Sequence, residues 1–327
     1  MEPLLIVAIF ASFFCTFLAI PYLIKRAKEE GLVGKDVHKL DKREVAEGGG
    51  LGLIFGFSVG VLIYIGLITF YFHNTSNISN IFALLCVVLF ASIIGIIDDL
   101  LGWKKGLSKT IRILMMLFAA VPLMVIHAGD STMLGINIGL LYPLLIIPLG
   151  IIGATTTFNF LAGYNGLESS QGVILLSSLA IATFLTGNAW LSVVILCMVA
   201  SLIAFYIFNK CPACIFPGDI LTYSVGALIA CVAILGNIEK ITVIFFTPYI
   251  IETILKVRGK LKKESFAKLN SDGSLDMPYD KIYGLEHLAV WTLKKVKPSK
   301  KAYEREVVWL INGFQIIVIL IGFAFFF

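Results

Sequence analysis

Two adjacent carboxylates stand directly after a run of apolar residues: Asp98 and Asp99 follow residues 90–97. A charged side chain beside hydrocarbon is costly unless it is used or hydrated. Adjacent carboxylates could hold Mg2+ or take a proton from a phosphate. A solvated helix end would show the same two residues, so the pair by itself leaves both interpretations open.

Amides and glycines are concentrated in residues 159–168, after another apolar run. The side chains of Asn159 and Asn165 can both donate and accept hydrogen bonds. Gly163 and Gly166 let the backbone approach a ligand closely. A turn that ends a helix uses the same residue types, so this segment could be a binding loop or a structural turn.

A third acid, Asp219, follows a Pro-Gly pair where a later apolar run begins. At a helix start an aspartate commonly caps the helix, and its carboxylate is also a ligand suited to Mg2+. Upstream, Glu47 leads into a glycine cluster at 48–50 that enters another apolar run. The backbone N–H groups of such a cluster can hold a phosphate, although the cluster lacks the Gly-Lys-Ser/Thr of a nucleotide-binding P-loop.

The rest of the chain is dominated by apolar runs that are long enough to cross a bilayer. Of the 327 residues, 58% are hydrophobic and only 14% are charged, which excludes a soluble globule. We predict one all-α membrane domain with about ten transmembrane helices, since about 20 apolar residues make one span. The predicted spans lie near residues 3–24, 48–72, 80–97, 111–127, 133–158, 172–186, 190–208, 220–236, 241–255 and 307–327.

The distribution of Lys and Arg indicates which side of the membrane the loops face. Every Lys and Arg except Lys240 lies in one of four segments, 25–47, 98–112, 209–219 and 256–306. Positive residues mark cytoplasmic loops, so we predict a multi-pass cell-membrane protein with both termini outside. The predicted cytoplasmic loops are 25–47, 98–110, 159–171, 209–219 and 256–306. The four candidate segments then share the cytoplasmic face. The net charge of +5 suits anionic lipids or an anionic substrate and gives no reason to invoke nucleic acid.

The longest predicted cytoplasmic loop, 256–306, contains two elements of its own. Asp272-Gly273 between apolar residues predicts a tight hairpin. The apolar spacing from Leu285 to Leu293, followed by lysines, predicts an amphipathic helix at the membrane surface.

Cys211 and Cys214 form a lone Cys-x-x-Cys in another predicted cytoplasmic loop. A zinc site would need a second pair of Cys or His, which no other loop offers. The role of the two cysteines stays open.

The candidate site segments, in chain order, are the glycine cluster at 48–50, Asp98-Asp99, residues 159–168 and Gly218-Asp219. Together they resemble the polyprenyl-phosphate N-acetylhexosamine-1-phosphate transferase family, which is of the glycosyltransferase family 4 type. The resemblance covers nearly the whole chain. Residues 161–168, Leu-Ala-Gly-Tyr-Asn-Gly-Leu-Glu, are similar to the eukaryotic and archaeal dolichyl-phosphate GlcNAc-1-phosphate transferase branch, whereas the bacterial translocase has an Asp-Gly-Leu-Asp-Gly pattern. Lys268-Leu269-Asn270 and the hairpin that follows also resemble the first branch.

The resemblance implies roles for individual residues at the phosphates. Asn159 and Asp219 would bind Mg2+ with the diphosphate. Asp98 and Asp99 would flank the reacting phosphates, and Lys109 matches a lysine associated with them. These five residues form the predicted catalytic and metal-binding group.

Other carried-over residues would bind the substrate. Glu47, Asn165 and Gly166 match positions near the uridine. Lys262 and Lys263 occupy roughly the place of a His/Arg-rich stretch of the family and would clamp the diphosphate. The chain departs from the family in that this stretch is absent and in that Gly102 replaces a third acid expected after the aspartate pair.

The activity that the resemblance implies is the transfer of GlcNAc 1-phosphate from UDP-GlcNAc to a dolichyl-type polyprenyl phosphate. The products would be lipid-diphosphate-GlcNAc and UMP, and family analogy would make this the first step of protein N-glycosylation. The partners would be a UDP-sugar and a prenyl phosphate lipid, and a homodimer is a possible assembly.

Three alternatives stay open at this point. The donor could be UDP-MurNAc-pentapeptide. The chain could instead be a transporter of an anionic substrate, which would place its acids near the membrane midplane. A scaffold that binds lipid headgroups would explain the lysines but not the Asp and Asn residues.

Overall fold

A computed structural model describes residues 3–102, 106–133 and 136–327 of the chain. The described part is mostly helical, which confirms the predicted all-α membrane class. The helices are α1 (Ile6–Glu29), α2 (Gly50–Gly66), α3 (Ile78–Leu100), α4 (Lys109–Ala119), α5 (Val121–Val125), α6 (Ile147–Phe160), α7 (Leu167–Leu185), α8 (Ala189–Asn209), α9 (Gly218–Leu235), α10 (Glu239–Phe245), α11 (Thr247–Arg258), α12 (Leu285–Val296) and α13 (Glu304–Phe326). Three of the segments between these helices contain an antiparallel strand pair. The pairs are β1 (Val33–Lys35) with β2 (Glu44–Ala46), β3 (Thr132–Met133) with β4 (Ile136–Asn137), and β5 (Lys268–Leu269) with β6 (Leu275–Asp276).

Eight of the described helical stretches are long and apolar enough to cross a membrane. They are Ile6–Glu29, Gly50–Tyr71, Ile78–Leu100, Tyr142–Phe160, Leu167–Leu185, Ala189–Asn209, Gly218–Leu235 and Glu304–Phe326. The prediction of about ten spans is not confirmed, because the predicted spans near 111–127 and 241–255 are each divided into two shorter helices. Pro122 and Pro248 lie in the first turns of α5 and α11. Proline lacks an N–H and crowds the preceding turn, so α4 and α10 end just before it.

Helix α9 is the most deeply buried of the candidate spans, with 83% of its 18 residues buried inside the protein. It packs along α3 and α6. Glycines permit this close approach: a methyl group at Gly95 would lie 2.6 Å from backbone atoms of Ile220, and one at Gly226 would lie 2.7 Å from the carbonyl oxygen of Ala154. Small residues let membrane helices approach in this way. The packing brings the last turns of α3 and α6 beside the first turn of α9.

The long segment between α11 and α13 is folded rather than extended. Its strands β5 and β6 form a hairpin that turns at Gly273, where φ is +78° and glycine is favoured. The Leu275 N–H donates to the Ala302 carbonyl at 2.8 Å, which ties the hairpin to the start of α13. Helix α12 lies next, and it packs against both α11 and α13.

Candidate active site

The candidate site lies where the ends of three helices meet. Asp99, next to the last residue of α3, accepts hydrogen bonds from the N–H groups of Asp219 at 2.9 Å and Ile220 at 3.4 Å. These N–H groups belong to the first turn of α9, where a helix has no partners of its own. Asp99 therefore caps α9 from a neighbouring helix, because Pro217, the residue that precedes α9, makes no side-chain capping hydrogen bond. Asp219 Oδ1 accepts a hydrogen bond from the Asn159 amide, at the end of α6, at 3.0 Å.

Asp98 is buried, and both of its carboxylate oxygens have partners. The Leu107 N–H donates to Oδ1 at 2.7 Å. Oδ2 accepts from the Tyr223 hydroxyl at 2.8 Å and pairs with Arg112 Nη2 at 2.7 Å. Hydrogen bonds to a charged guanidinium are short and strong, and they fix the geometry of the carboxylate. Asp98 is thus held in place, whereas Asp99, Asp219 and Asn159 are only partly buried and can be reached by a ligand.

The site is formally negative, because the carboxylates of Asp98, Asp99 and Asp219 outnumber the one guanidinium of Arg112. Partly buried carboxylates need compensating positive charge. Carboxylate and amide oxygens are suitable ligands for Mg2+, which commonly takes one or two protein ligands and completes its shell with water and phosphate oxygens. Asp219 and Asn159 fit such an ion. Among the residues that the structure describes, no group of three or more His, Cys, Asp or Glu is arranged to hold a metal, so water or substrate oxygens would supply the other ligands of an ion here.

The glycine cluster at 48–50 does not offer a free phosphate cradle. The Gly49 N–H donates to the Phe216 carbonyl and the Gly50 N–H to the Pro217 carbonyl, each at 3.0 Å. These two N–H groups are therefore not free to bind a phosphate. Their function is close packing, because a methyl group at Gly50 would lie 2.7 Å from the Leu221 nitrogen.

Glu47 precedes this cluster and lies beside the segment that leads into α9. The Phe216 N–H donates to the Ala46 carbonyl at 2.8 Å, which aligns the two chain segments. The Glu47 carboxylate covers Gly34 of β1, where a side chain would collide with it. Burial raises the pKa of Glu47 above its usual value. Its predicted contact with the nucleotide stays a prediction.

Asn165 and Gly166 lie in the turn between α6 and α7. Asn165 donates its backbone N–H to Glu304 Oε1 at 2.9 Å and its side-chain amide to Asp36 Oδ2 at 2.8 Å. Gly166 has φ of +82°, which explains a glycine at the start of α7. The Glu168 carboxylate accepts the Gly163 N–H at 2.7 Å and closes the turn. The segment is thus an ordered turn with several buried polar contacts.

The three predicted phosphate-binding lysines lie apart from these contacts. Lys109 is exposed at the start of α4, and Arg112 on the next turn is the cation that reaches Asp98. Lys262 and Lys263 are also exposed. The Lys263 ammonium lies over the ring of Tyr279, 4.4 Å from its centroid. Within the described part of the chain, no ion pair joins any of the three lysines to Asp98, Asp99 or Asp219, so their roles stay predictions.

Residues 81–237 match the sequence profile of glycosyl transferase family 4. A Saccharolobus solfataricus protein, provisionally named a UDP-N-acetylglucosamine–dolichyl-phosphate N-acetylglucosaminephosphotransferase, is 34% identical over 97% of this chain and 95% of its own. The chain belongs to glycosyl transferase family 4. A Sulfolobus acidocaldarius protein with the same provisional name is 29% identical over 98% of this chain. A Streptococcus thermophilus phospho-N-acetylmuramoyl-pentapeptide-transferase is 29% identical over 74% of the present chain and 75% of its own.

The family match includes the whole helix-end cluster of this glycosyl transferase. It contains Asp98, Asp99, Asn159 and Asp219, and it also contains Arg112, which sequence reasoning missed. Arg112 follows Lys109 by three residues, so the two side chains lie on one face of a helix. That three-residue spacing is the sequence feature that could have identified Arg112.

Three further members of the site were also missed. Tyr223 follows Asp219 by one helical turn, which could have identified it. Asp36 and Glu304 lie far from Asn165 in the sequence, and nothing in their local pattern points to it.

Proposed function

We propose that this family 4 glycosyl transferase moves GlcNAc 1-phosphate from UDP-GlcNAc to a dolichyl-type polyprenyl phosphate and releases UMP. The names of the two archaeal relatives support this substrate pair. The observation that carries the proposal is the contact of Asp99 with the start of α9 beside Asp219 and Asn159. It places acid and amide groups at the ends of membrane helices, where a lipid phosphate and a soluble nucleotide can meet.

The reaction is a displacement at phosphorus. An oxygen of the lipid phosphate forms a bond to the sugar-linked phosphorus of UDP-GlcNAc, and the bond from that phosphorus to the bridging oxygen of UMP breaks. UMP leaves with the electron pair. Two anions must approach and charge spreads over the transferring phosphoryl oxygens, so positioning and charge stabilisation dominate catalysis.

The residues of the chain divide this work. A phosphate monoester is largely ionised at neutral pH, with a second pKa near ~6, so the lipid nucleophile needs little deprotonation. Asp98, held by Arg112 and Tyr223, would position this nucleophile rather than deprotonate it. Asp99 fixes the start of α9, and Asp219 and Asn159 would hold Mg2+. The ion would neutralise the diphosphate as it reacts.

Placement of the acids favours the enzyme over a transporter. Asp98 and Asp99 lie in the last turn of α3, and Asp219 is the second residue of α9. A transporter would hold its substrate near the bilayer midplane. The helix-end location suits a reaction at the membrane surface.

The donor is expected to be UDP-GlcNAc rather than UDP-MurNAc-pentapeptide. The loop between α11 and α13 packs onto the turn that contains Asn165, since Phe266 fills the space beside Gly163. The Ala267 N–H also donates to His38, which lies between β1 and β2. An ion pair between Lys301 and Asp272, 2.7 Å apart, fixes its hairpin. A rigid loop excludes bulky substituents more effectively than a mobile one.

Purified protein with Mg2+ and dolichyl phosphate should therefore release UMP from UDP-GlcNAc, at least about 10-fold faster than from UDP-MurNAc-pentapeptide, a ratio typical of steric exclusion. Omission of the lipid phosphate is the control. Equal or faster release from the peptide donor would overturn the donor assignment. Absence of lipid-dependent UMP release from either donor would overturn the reaction.

We further propose that the helix-end cluster faces the cytoplasm at the cell membrane and that both termini lie outside. The support is the positive charge of the loops at that end of the bundle. In a chain whose native cysteines are replaced, single cysteines at Thr75 or Asp130 should react with an impermeant maleimide in sealed, right-side-out membranes. One at Lys262 should react only after the membranes are opened. The reverse pattern would contradict the orientation.

A further inference from the structure

We infer that Asp36 and Glu304 are positioning residues that hold Asn165 ready for the nucleotide sugar. The inference rests on the proposed function, because it takes UDP-GlcNAc as the ligand that Asn165 binds. Asp36 lies between β1 and β2, and Glu304 is the first residue of α13, so two distant parts of the chain converge on the turn between α6 and α7. Asp36 is 3% exposed, and Asn165 and Glu304 are each 6% exposed.

The Asp36 contact fixes the orientation of the Asn165 amide. An ionised carboxylate only accepts hydrogen bonds, so the group that faces Asp36 Oδ2 at 2.8 Å is the NH2 of Asn165. The amide oxygen is then turned to the other side, where it can accept from an N–H or O–H of a ligand. Asp36 itself cannot rotate freely, because its Oδ1 accepts the His38 N–H at 3.1 Å.

The Glu304 contact fixes the backbone of the same residue. Its Oε1 accepts the Asn165 N–H at 2.9 Å. Glu304 is not needed to begin α13, because Glu306 caps that helix by accepting the Tyr303 N–H at 3.1 Å. A capping role therefore does not explain why the Glu304 carboxylate is buried against Asn165.

Lys39 offsets part of the charge of the two buried acids. Its ammonium pairs with Glu304 Oε2 and lies 4.0 Å from Asp36 Oδ2. Burial alone would lower the pKa of Lys39, but the hydrogen bond to Glu304 and the charges of both acids outweigh it and raise the pKa. A buried carboxylate pair without this cation would be costly. The two acids thus hold the Asn165 amide and its backbone N–H from two sides. The same network includes Cys211 Sγ, 3.3 Å from Glu304 Oε2, and His38 Nδ1, 3.7 Å from Glu304 Oε1.

The test compares Asp36→Asn and Glu304→Gln with Glu306→Gln, a matched loss of one carboxylate two residues away. In the full-length protein in lipid nanodiscs, the first two variants should raise KM for UDP-GlcNAc by about 10-fold, the scale of one lost charged hydrogen bond. Their kcat and their KM for prenyl phosphate should change less than about twofold, within the spread of ordinary surface substitutions. Glu306→Gln should change neither KM.

A coupling measurement separates positioning from general loss of structure. In an Asn165→Ala background, Asp36→Asn should add no further rise in the donor KM, because Asp36 acts through Asn165. An additional 10-fold rise there, an unchanged donor KM in the single variants, or an equal rise in both KM values would overturn the inference. Asp36→Glu, which keeps the charge but displaces the carboxylate, should show the same selective change and serves if Asp36→Asn does not fold.

Direct binding of UDP-GlcNAc, measured by calorimetry without lipid, keeps this inference distinct from the proposed reaction. Wild-type protein that binds the donor but does not transfer phosphate would end the proposed function alone, and the variants should still bind about 10-fold more weakly. Equal donor affinity in wild type and variants would end the positioning role alone.

Discussion

Asp219→Asn is expected to reduce UMP release by at least about 100-fold, the scale of losing one group that stabilises the reacting charge. The substitution preserves side-chain volume but removes the negative charge that would hold Mg2+ with Asn159. Folding should survive, because Asp99 rather than the Asp219 side chain caps α9. Initial rates at increasing Mg2+ concentrations provide the measurement.

The matched control for this variant is Asp41→Asn, which removes the same charge from an exposed position in the loop between β1 and β2. It should keep wild-type rates. Near wild-type turnover of Asp219→Asn at limiting Mg2+ would exclude Asp219 as a metal ligand.

Arg112→Met should be the second severe variant, with activity lowered about 100-fold and stability lowered by about 3 kcal/mol, because it leaves the buried Asp98 carboxylate unpaired. Lys109→Met removes a cation one helical turn away that is exposed. It should leave the unfolding midpoint close to that of wild type, because the Asp98–Arg112 pair is intact, and lower activity only through its predicted role at the phosphates. Rates and thermal unfolding midpoints of the two variants should be measured side by side.

The double variant Asp98→Asn/Arg112→Met separates stability from chemistry. With both charges gone, the unfolding midpoint should recover while activity stays low. An unchanged unfolding midpoint in Arg112→Met, or a midpoint lowered as far in Lys109→Met, would contradict the assignment of Arg112 as the partner that stabilises Asp98.

The main helices and the acid positions were accessible from the sequence for a simple physical reason. A membrane helix must satisfy its own backbone hydrogen bonds and be apolar outside, so each span is visible as a local run. Acids at the ends of such runs stand out against hydrocarbon, which is why Asp98, Asp99 and Asp219 could be identified. The division of two predicted spans was less visible, because Pro122 and Pro248 lie within runs that otherwise look continuous.

The partners of those acids could not be read from local patterns. Whether Asp219 caps its own helix or is capped by Asp99 depends on how closely α3 approaches α9, which Gly95 permits. The N–H groups of Gly49 and Gly50 looked free in sequence, but they pair with carbonyls that lie more than 160 residues away along the chain. Such pairings are set by tertiary packing rather than by local sequence.

The most direct test of the proposed reaction follows the phosphorus that is attached to the sugar. Purified protein is incubated with Mg2+, dolichyl phosphate and UDP-GlcNAc labelled with 32P at the β-phosphate, and the lipid and aqueous phases are separated. A GlcNAc-1-phosphate transferase should move the label into the lipid in a one-to-one ratio with unlabelled UMP. Label that stays in the aqueous phase as UDP while the sugar enters the lipid would show transfer of the sugar alone and would contradict the proposed reaction.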